Sequence, residues 1–350
     1  MSMTIPVSQS GTMSEGHEVL VTACICTHNR THYLRHCLES LRQQNVGLDA
    51  FEIVVVDSNS TAVAAAEMQR LVADLPNARL VRVEEAGLSL ARNAGALAAR
   101  GDYVAYIDDD ALAEPDWVEQ IMRVVEEQPV RPAVLSGRAL PVWEAPLPAW
   151  WPESLRGVLT ITEWEGSGEY RTSEVPAGLG PYGANMIVER AALLAVSGFA
   201  EDLGRRGGLL LSDEDVHLAW KLQDSGRSAR HDSRITVHHC IQAVRLTPEW
   251  MLQRLYWQGA SSVMTRLMLG HPRMVWSELP RRLALTVALA PLALIPKHSS
   301  ALIDLRWRLA YAQGFVRMAL GELLLRANTA GIKVKSHALP ESAAPRGAMG

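Results

Sequence analysis

Asp108, Asp109 and Asp110 follow directly on the apolar run Tyr103-Val104-Ala105-Tyr106-Ile107, which sets three adjacent carboxylates at the tip of a buried strand. Carboxylates this close repel one another, and a divalent cation relieves the repulsion. Hard cations such as Mg2+ or Mn2+ are typically held by one or two carboxylates together with substrate phosphates. The triplet therefore points to a metal and a phosphorylated ligand, against the competing reading of a solvated acidic loop. A second acidic group, Ser212-Asp213-Glu214-Asp215, opens a helical stretch that Gly226 terminates. There Ser212 or Asp213 can cap the helix, leaving Asp215 free, and the exposed N–H groups of a helix start keep a carboxylate ionised. A strand through Ile235, Thr236 and Val237 delivers His238 and His239. Adjacent strand residues point to opposite faces, so only one of the two can enter a given site.

These clusters need a scaffold. Apolar runs alternate with helical periodicity: Val19 to Cys26, then Tyr33, Leu34, Cys37, Leu38 and Leu41, then Ile53 to Val56, a helical stretch to Leu75, and Leu80 to Val83. Strands apolar on both faces and joined by helices predict an α/β, doubly wound, mostly parallel sheet covered on both sides. Leu88 to Arg100 reads as a helix, Tyr103 to Ile107 as a strand, and Pro115 to Gln128 as a helix with Pro in its first turn. Ligands of such sheets bind beyond the carboxyl ends of the strands, where Thr27-His28-Asn29-Arg30, Asp57-Ser58-Asn59-Ser60 and the aspartate triplet all fall. After residue 138 comes a stretch rich in Pro, Gly and Trp (Trp143, Trp150, Trp151, Trp164), of a length typical of lids and binding surfaces. Asn185 to Val188 resumes the order, and from Pro248 onward the chain is helical and basic.

With 350 residues and 48% hydrophobic content, the chain is long and apolar enough for one large α/β domain with an extension. Its formal net charge of -4 conceals an asymmetry: residues 245 to 335 hold thirteen Lys or Arg against four Asp or Glu. The four cysteines form no CxxC pair, which favours reduced thiols and a cytosolic protein. Residues 1–18 read as a flexible tail without a secretory signal, and 331–350 as a disordered one. The longest apolar stretch, Leu283 to Pro296, is interrupted by Pro291 and too short to span a bilayer.

Several motifs in series resemble the inverting glycosyltransferases of family 2, with the GT-A fold, over roughly residues 20 to 265. They are Cys26-Thr27-His28-Asn29-Arg30, Val54-Val55-Val56-Asp57-Ser58-Asn59-Ser60, Gly87-Leu88-Ser89-Leu90-Ala91-Arg92-Asn93-Ala94-Gly95, Ile107-Asp108-Asp109-Asp110, Gly183-Ala184-Asn185, Ser212-Asp213-Glu214-Asp215 and Val237-His238-His239. The resemblance implies a catalytic domain at 19–245 and a helical extension at 246–330. It implies that Asp57 reads the nucleobase, usually uracil, that Thr27, Asn29, Arg30 and Asn59 line the base and ribose pocket, and that Arg92 lies near the ribose or diphosphate. Asp110 is then the first choice of metal ligand and Asp108 the second, with Asp109 between them on the donor. A further ligand comes from His238 or His239, with His238 favoured. Asp215 matches the general base, beside Glu214, while Gly183 and Asn185 fit the loop that meets the donor sugar. The expected cofactor is Mn2+ or Mg2+. The expected donor is a nucleotide sugar, UDP-linked in the first instance, with GDP and dTDP as alternatives.

The basic, Leu-rich helices after 270 read either as packing on the catalytic body or as shallow attachment to an anionic membrane surface on the inner leaflet, which would suit a lipid-linked glycan acceptor. Among rival classes, a sugar nucleotidyltransferase would carry a Gly-rich N-terminal loop with Arg and Lys, which this sequence lacks. A non-catalytic nucleotide-sugar binding module would need no base. Nucleic-acid binding by the basic segment is the remotest option.

Overall fold

In the computed structural model residues 20–329 are described; the tails expected at 1–18 and 331–350 lie outside them. The chain runs β1 (Val21–Thr27), α1 (Thr31–Arg42), β2 (Phe51–Ser58), α2 (Ala62–Ala73), β3 (Ala78–Val83), α3 (Leu88–Ala98) and β4 (Tyr103–Ile107). It continues with β5 (Ala111–Ala113), α4 (Trp117–Glu126), β6 (Val134–Trp143), β7 (Ser167–Glu169), β8 (Asn185–Glu189), α5 (Arg190–Ala195), α6 (Glu214–Asp224) and β9 (Ala229–Ile241). Three helices close it: α7 (Pro248–Met268), α8 (Pro272–Ala288) and α9 (Ile303–Thr329).

The strands form one sheet in the order β3-β2-β1-β4-β8-β6-β9-β5, with β7 paired to β9. β1 pairs in parallel with both β2 and β4, in a register that sets Thr27 beside Asp57. The first four strands are the parallel part, and β8 adds antiparallel to β4. Because β1 is flanked by β2 on one side and β4 on the other, the chain leaves it in opposite directions and opens a crevice at its carboxyl end. Alternate side chains of the buried strands feed two cores. Ala23, Ile25, Ile53 and Val55 pack with Leu34, Leu41, Trp117 and Ile121 on one face, and Cys24, Val54 and Val56 with Ala91, Met186 and Leu218 on the other.

Three features depart from the sequence reading. The order does not break at 138, because β6 runs to Trp143 in parallel with a thirteen-residue β9, of which only Ile235 to Val237 was legible. Trp143, Trp150 and Trp151 pack with Met251, Leu255 and Trp307, so this stretch buttresses the C-terminal helices. Third, Arg254 and Gln258 of α7 line the main cavity, so the cavity extends past the expected 245/246 boundary. α7 is braced by α9 at a close crossing, where a Cβ on Gly259 would lie 2.1 Å from the Tyr311 carbonyl oxygen.

Candidate active site

A cavity of about 990 Å3 opens beyond the ends of β1 and β4 and takes in Thr27, Arg30, Arg92, Asp108, Asp109, Asp110, Gly183, Glu214 and Asp215. Asp108, Asp110 and His239 each offer a ligand atom, and these atoms lie within 4.8 Å of one another. Two carboxylates and an imidazole form a donor set that fits Mn2+ or Mg2+. His239 comes from β9, which pairs with β5 at Ala111↔His239, the residue after the triplet, so the sheet itself brings the ring to the carboxylates. Its Nε2 lies 3.3 Å from Asp110 Oδ1, and its buried Nδ1 has no hydrogen-bond partner among the described residues. The neighbouring His238 faces away, half exposed, and pairs with Glu114 at 2.5 Å. Strand alternation thus selects His239, correcting the preference for His238.

Asp110 gathers cationic and polar donors: Arg30 at 2.6 Å, Gln242 at 2.5 Å and Arg245 at 3.1 Å. Against the burial that would raise it, His239, Arg245 and Arg30 hold the Asp110 carboxyl well below the usual carboxylate range. Asp109, bonded to Thr27 and Arg30, is instead pushed up to about 7, because burial and the Asp110 charge outweigh Arg30.

Helix α3 contributes Arg92, whose guanidinium is buried and donates to Glu214 Oε1 at 2.7 Å while reaching Asp108 at 3.5 Å. Arg92 therefore ties the aspartate triplet to the start of α6. Glu214 is held there, and burial first, then the Asp215 charge, raises its carboxyl against the pull of Arg92. Asp215 in the same first turn accepts from the Gly183 N–H at 2.7 Å and from the Val216 N–H at 2.7 Å. Gly183 is needed for close approach, since a Cβ there would lie 2.1 Å from Arg92 Nη2. Asp213 occupies the N-cap position in a left-handed conformation (φ 71) without a side-chain cap bond. Its carboxylate accepts instead from Gln258 of α7 and from Ser212, so it does not cap the helix as the sequence suggested. Strain of this kind at a non-glycine residue is common where a site is held in a fixed shape.

Other expected residues stand outside the cavity. Asn185 is buried, accepting from Trp117 Nε1 and donating to the Arg138 and Ile235 carbonyls, so it fastens the sheet instead of meeting a sugar. The Asp57 carboxylate is buried between Arg82 at 2.5 Å and the Ser60 N–H at 2.9 Å. Asn29 and Asn59 take left-handed turns (φ 54 and φ 57) that interlock through Ser60, Thr61 and Arg82, outside the cavity lining. That end of the cavity is lined by Thr27, His28, Arg30 and Ser58. Residues unforeseen from the sequence are Gln242, beside Asp110, and Arg205, in the cavity wall. Gln242 follows Val237-His238-His239 on the same strand exit, which was the available signal.

Comparison with known proteins agrees with this architecture. Residues 22–139 match the family model described as glycosyl transferase family 2. The chain is 30% identical over 249 residues, 69% of its length and 75% of the relative's, to the glucosyl-dolichyl phosphate glucuronosyltransferase of Haloferax volcanii. It is 25% identical over 238 residues, 67% of its length and 71% of the relative's, to the succinoglycan biosynthesis protein ExoM of Rhizobium meliloti. In fold it is similar to the mannosyltransferase PcManGT of Pyrobaculum calidifontis, solved with GDP-Man and Mn2+, at a TM-score of 0.56 and 19% identity over 87% of this chain and 88% of that one. A Rossmann-like crevice, an acidic cluster fit for a cation and full-domain similarity at this level converge on one assignment: the chain belongs to glycosyltransferase family 2 and is a glycosyltransferase with the GT-A fold.

Proposed function

We propose that this enzyme transfers a sugar, with inversion, from a nucleoside diphosphate donor to a hydroxyl group, in polysaccharide or glycoconjugate assembly. The observation that carries the reading is that one cavity joins the Asp108/Asp110/His239 cluster to Asp215. Asp215 accepts the acceptor's hydroxyl proton as that oxygen bonds to the anomeric carbon. The bond from that carbon to the diphosphate oxygen breaks, and its electron pair leaves with the nucleoside diphosphate. The two backbone N–H groups on Asp215 keep it oriented, and Arg92 holds Glu214 so that Asp215 is the carboxylate that meets the acceptor. Asp110, Asp108 and His239 would hold Mn2+ or Mg2+, which when bound supplies electrostatic stabilisation of charge on the leaving diphosphate. Thr27, Arg30 and Ser58 form the nucleoside end, with a uridine nucleotide as the first candidate and GDP or dTDP as alternatives.

Support for the acceptor class comes from two directions. The relatives' names concern a dolichyl phosphate-linked sugar and succinoglycan. Along α8 and the segment after it, apolar side chains stand exposed (Met274, Leu283, Val287 and Leu294) beside Arg273, Arg281 and Lys297. No helix among the described residues is long and apolar enough to cross a membrane. Exposed residues of this composition suit shallow contact with an anionic lipid surface, where a lipid-linked glycan would be presented. A thermal-shift screen of UDP-, GDP- and dTDP-sugars, with and without Mn2+, tests the reading. At least one should raise Tm only with the cation, and no shift for any of them would refute it.

A further inference from the structure

Three arginines line the cavity apart from Arg30, Arg92, the Asp224-paired Arg171 and the Glu85-paired Arg206: Arg205, Arg245 and Arg254. Arg245 is matched by Asp110. Among the described residues neither Arg205 nor Arg254 forms an ion pair, and Arg254 Nη1 is buried with no hydrogen-bond partner. Arg254 as a whole is half-buried, but a buried N–H donor left unmatched is costly, and in a cavity wall a ligand anion can match it. Burial lowers the Arg254 guanidinium, and Arg205 lowers it further, while Asp213, Glu214 and Asp215 pull the other way. Arg254 lies one helical turn from Gln258, which donates to Asp213 at the start of α6, whereas Arg245 contacts Asp110 at the cation end. Arg205 is within electrostatic reach of both.

The arrangement is built into the backbone. Arg254 sits one helical turn before Gln258, which holds Asp213. Arg205 follows Gly204 (φ 86), and its carbonyl accepts from the Leu88 N–H at the start of α3. Next to Asp213, Glu214 and Asp215, an anionic acceptor would be repelled unless cations offset those charges.

We propose that Arg254 and Arg205 form a second anion subsite, distinct from the donor's diphosphate site, that takes a phosphate group carried by the acceptor. The proposal rests on the glycosyl-transfer reading and specifies the acceptor as a phosphate ester, its phosphate docked on the two guanidinium groups and its hydroxyl at Asp215. Uniform use of the arginines for the donor is the competing assignment, and occupancy separates the two.

Inorganic phosphate is titrated calorimetrically into the full chain with Mg2+, with and without saturating UDP, GDP or dTDP, whichever binds. Phosphate should bind the nucleotide-saturated protein. Arg254→Gln and Arg205→Gln should each weaken that binding about tenfold or more while nucleotide affinity stays within about twofold. Arg205 lies on an exposed loop, so its variant reports independently of any folding defect in Arg254→Gln. Phosphate binding that disappears once nucleotide is bound, or variants that lose nucleotide and phosphate alike, would overturn the subsite. If none of the three nucleotides binds, the donor reading fails on its own, and phosphate binding to the free protein, unchanged in both variants, would overturn the subsite separately.

Discussion

Replacing Arg92 with Met removes the guanidinium that, among the described residues, bonds both Glu214 of α6 and Asp108 of the triplet, and the cost should depend on pH. The Arg92–Glu214 pair is 2.7 Å long with side chains only 4% and 6% exposed. Breaking a buried pair from one side costs about 3–5 kcal/mol when the remaining charge stays ionised. Glu214 has an escape, because burial already raises its carboxyl and loss of Arg92 raises it further, so it takes up a proton instead. A carboxyl raised in the folded state contributes stability below its unfolded value near 4.3, and that stability is lost as pH rises through the folded value. Over the two units from pH 6 to pH 8 a single such group changes stability by at most about 2.7 kcal/mol, and the parent, whose Glu214 carboxyl is raised to about 7, already shows about half of that. The variant should therefore lose about 2 kcal/mol at pH 6 and about 3 kcal/mol at pH 8. For a folded body of this size 1 kcal/mol corresponds to roughly 1.5 °C, giving Tm losses of about 3 °C and about 5 °C. Arg92→Met with Glu214→Gln should abolish the added pH dependence. Thermal unfolding followed by circular dichroism at both pH values decides it; equal losses at pH 6 and pH 8 would refute the reasoning.

Further outcomes follow from the same structure. His239→Ala should raise the Mn2+ concentration needed for half-maximal turnover at least tenfold, about 1.4 kcal/mol, whereas His238→Ala should leave it within about twofold; the reverse pattern would restore the other histidine. His231 is buried, and burial lowers its imidazole to about 4 despite the Trp164 carbonyl and Asp232. Its stabilisation is complete above pH 6.5 and is lost as pH falls through about 4, some 3 kcal/mol in all, so His231→Gln should flatten the stability-versus-pH curve in that window. Val287→Glu together with Leu294→Glu should at least halve sedimentation with anionic vesicles and leave neutral vesicles unaffected; unchanged sedimentation would remove the membrane face.

The parallel half of the fold was legible because β1, β2 and β4 are apolar on both faces and each ends in a polar cluster. The antiparallel half was hidden: β9 carries Arg230, His231, Asp232 and Arg234 within its run, so no apolar signature announces it. Its register decides which histidine meets Asp110, and register is a tertiary property. Asp108, Asp110, Glu214 and Asp215 were recognisable from their places at a strand end and a helix start, and Arg92 from the family resemblance alone; the fold brings them to one cavity. Asn185 was misjudged because its partners, Trp117, Arg138 and Ile235, lie far away in sequence. Arg205 was invisible for the same reason.

The central claim is that a cation-competent cluster and a general base face one substrate in a single cavity. Its most direct test is Asp215→Asn, assayed for nucleotide binding with Mn2+ and for sugar transfer or donor hydrolysis. The account predicts nucleotide affinity within about twofold of the parent and turnover reduced at least 100-fold. Turnover near the parent level in Asp215→Asn would contradict it.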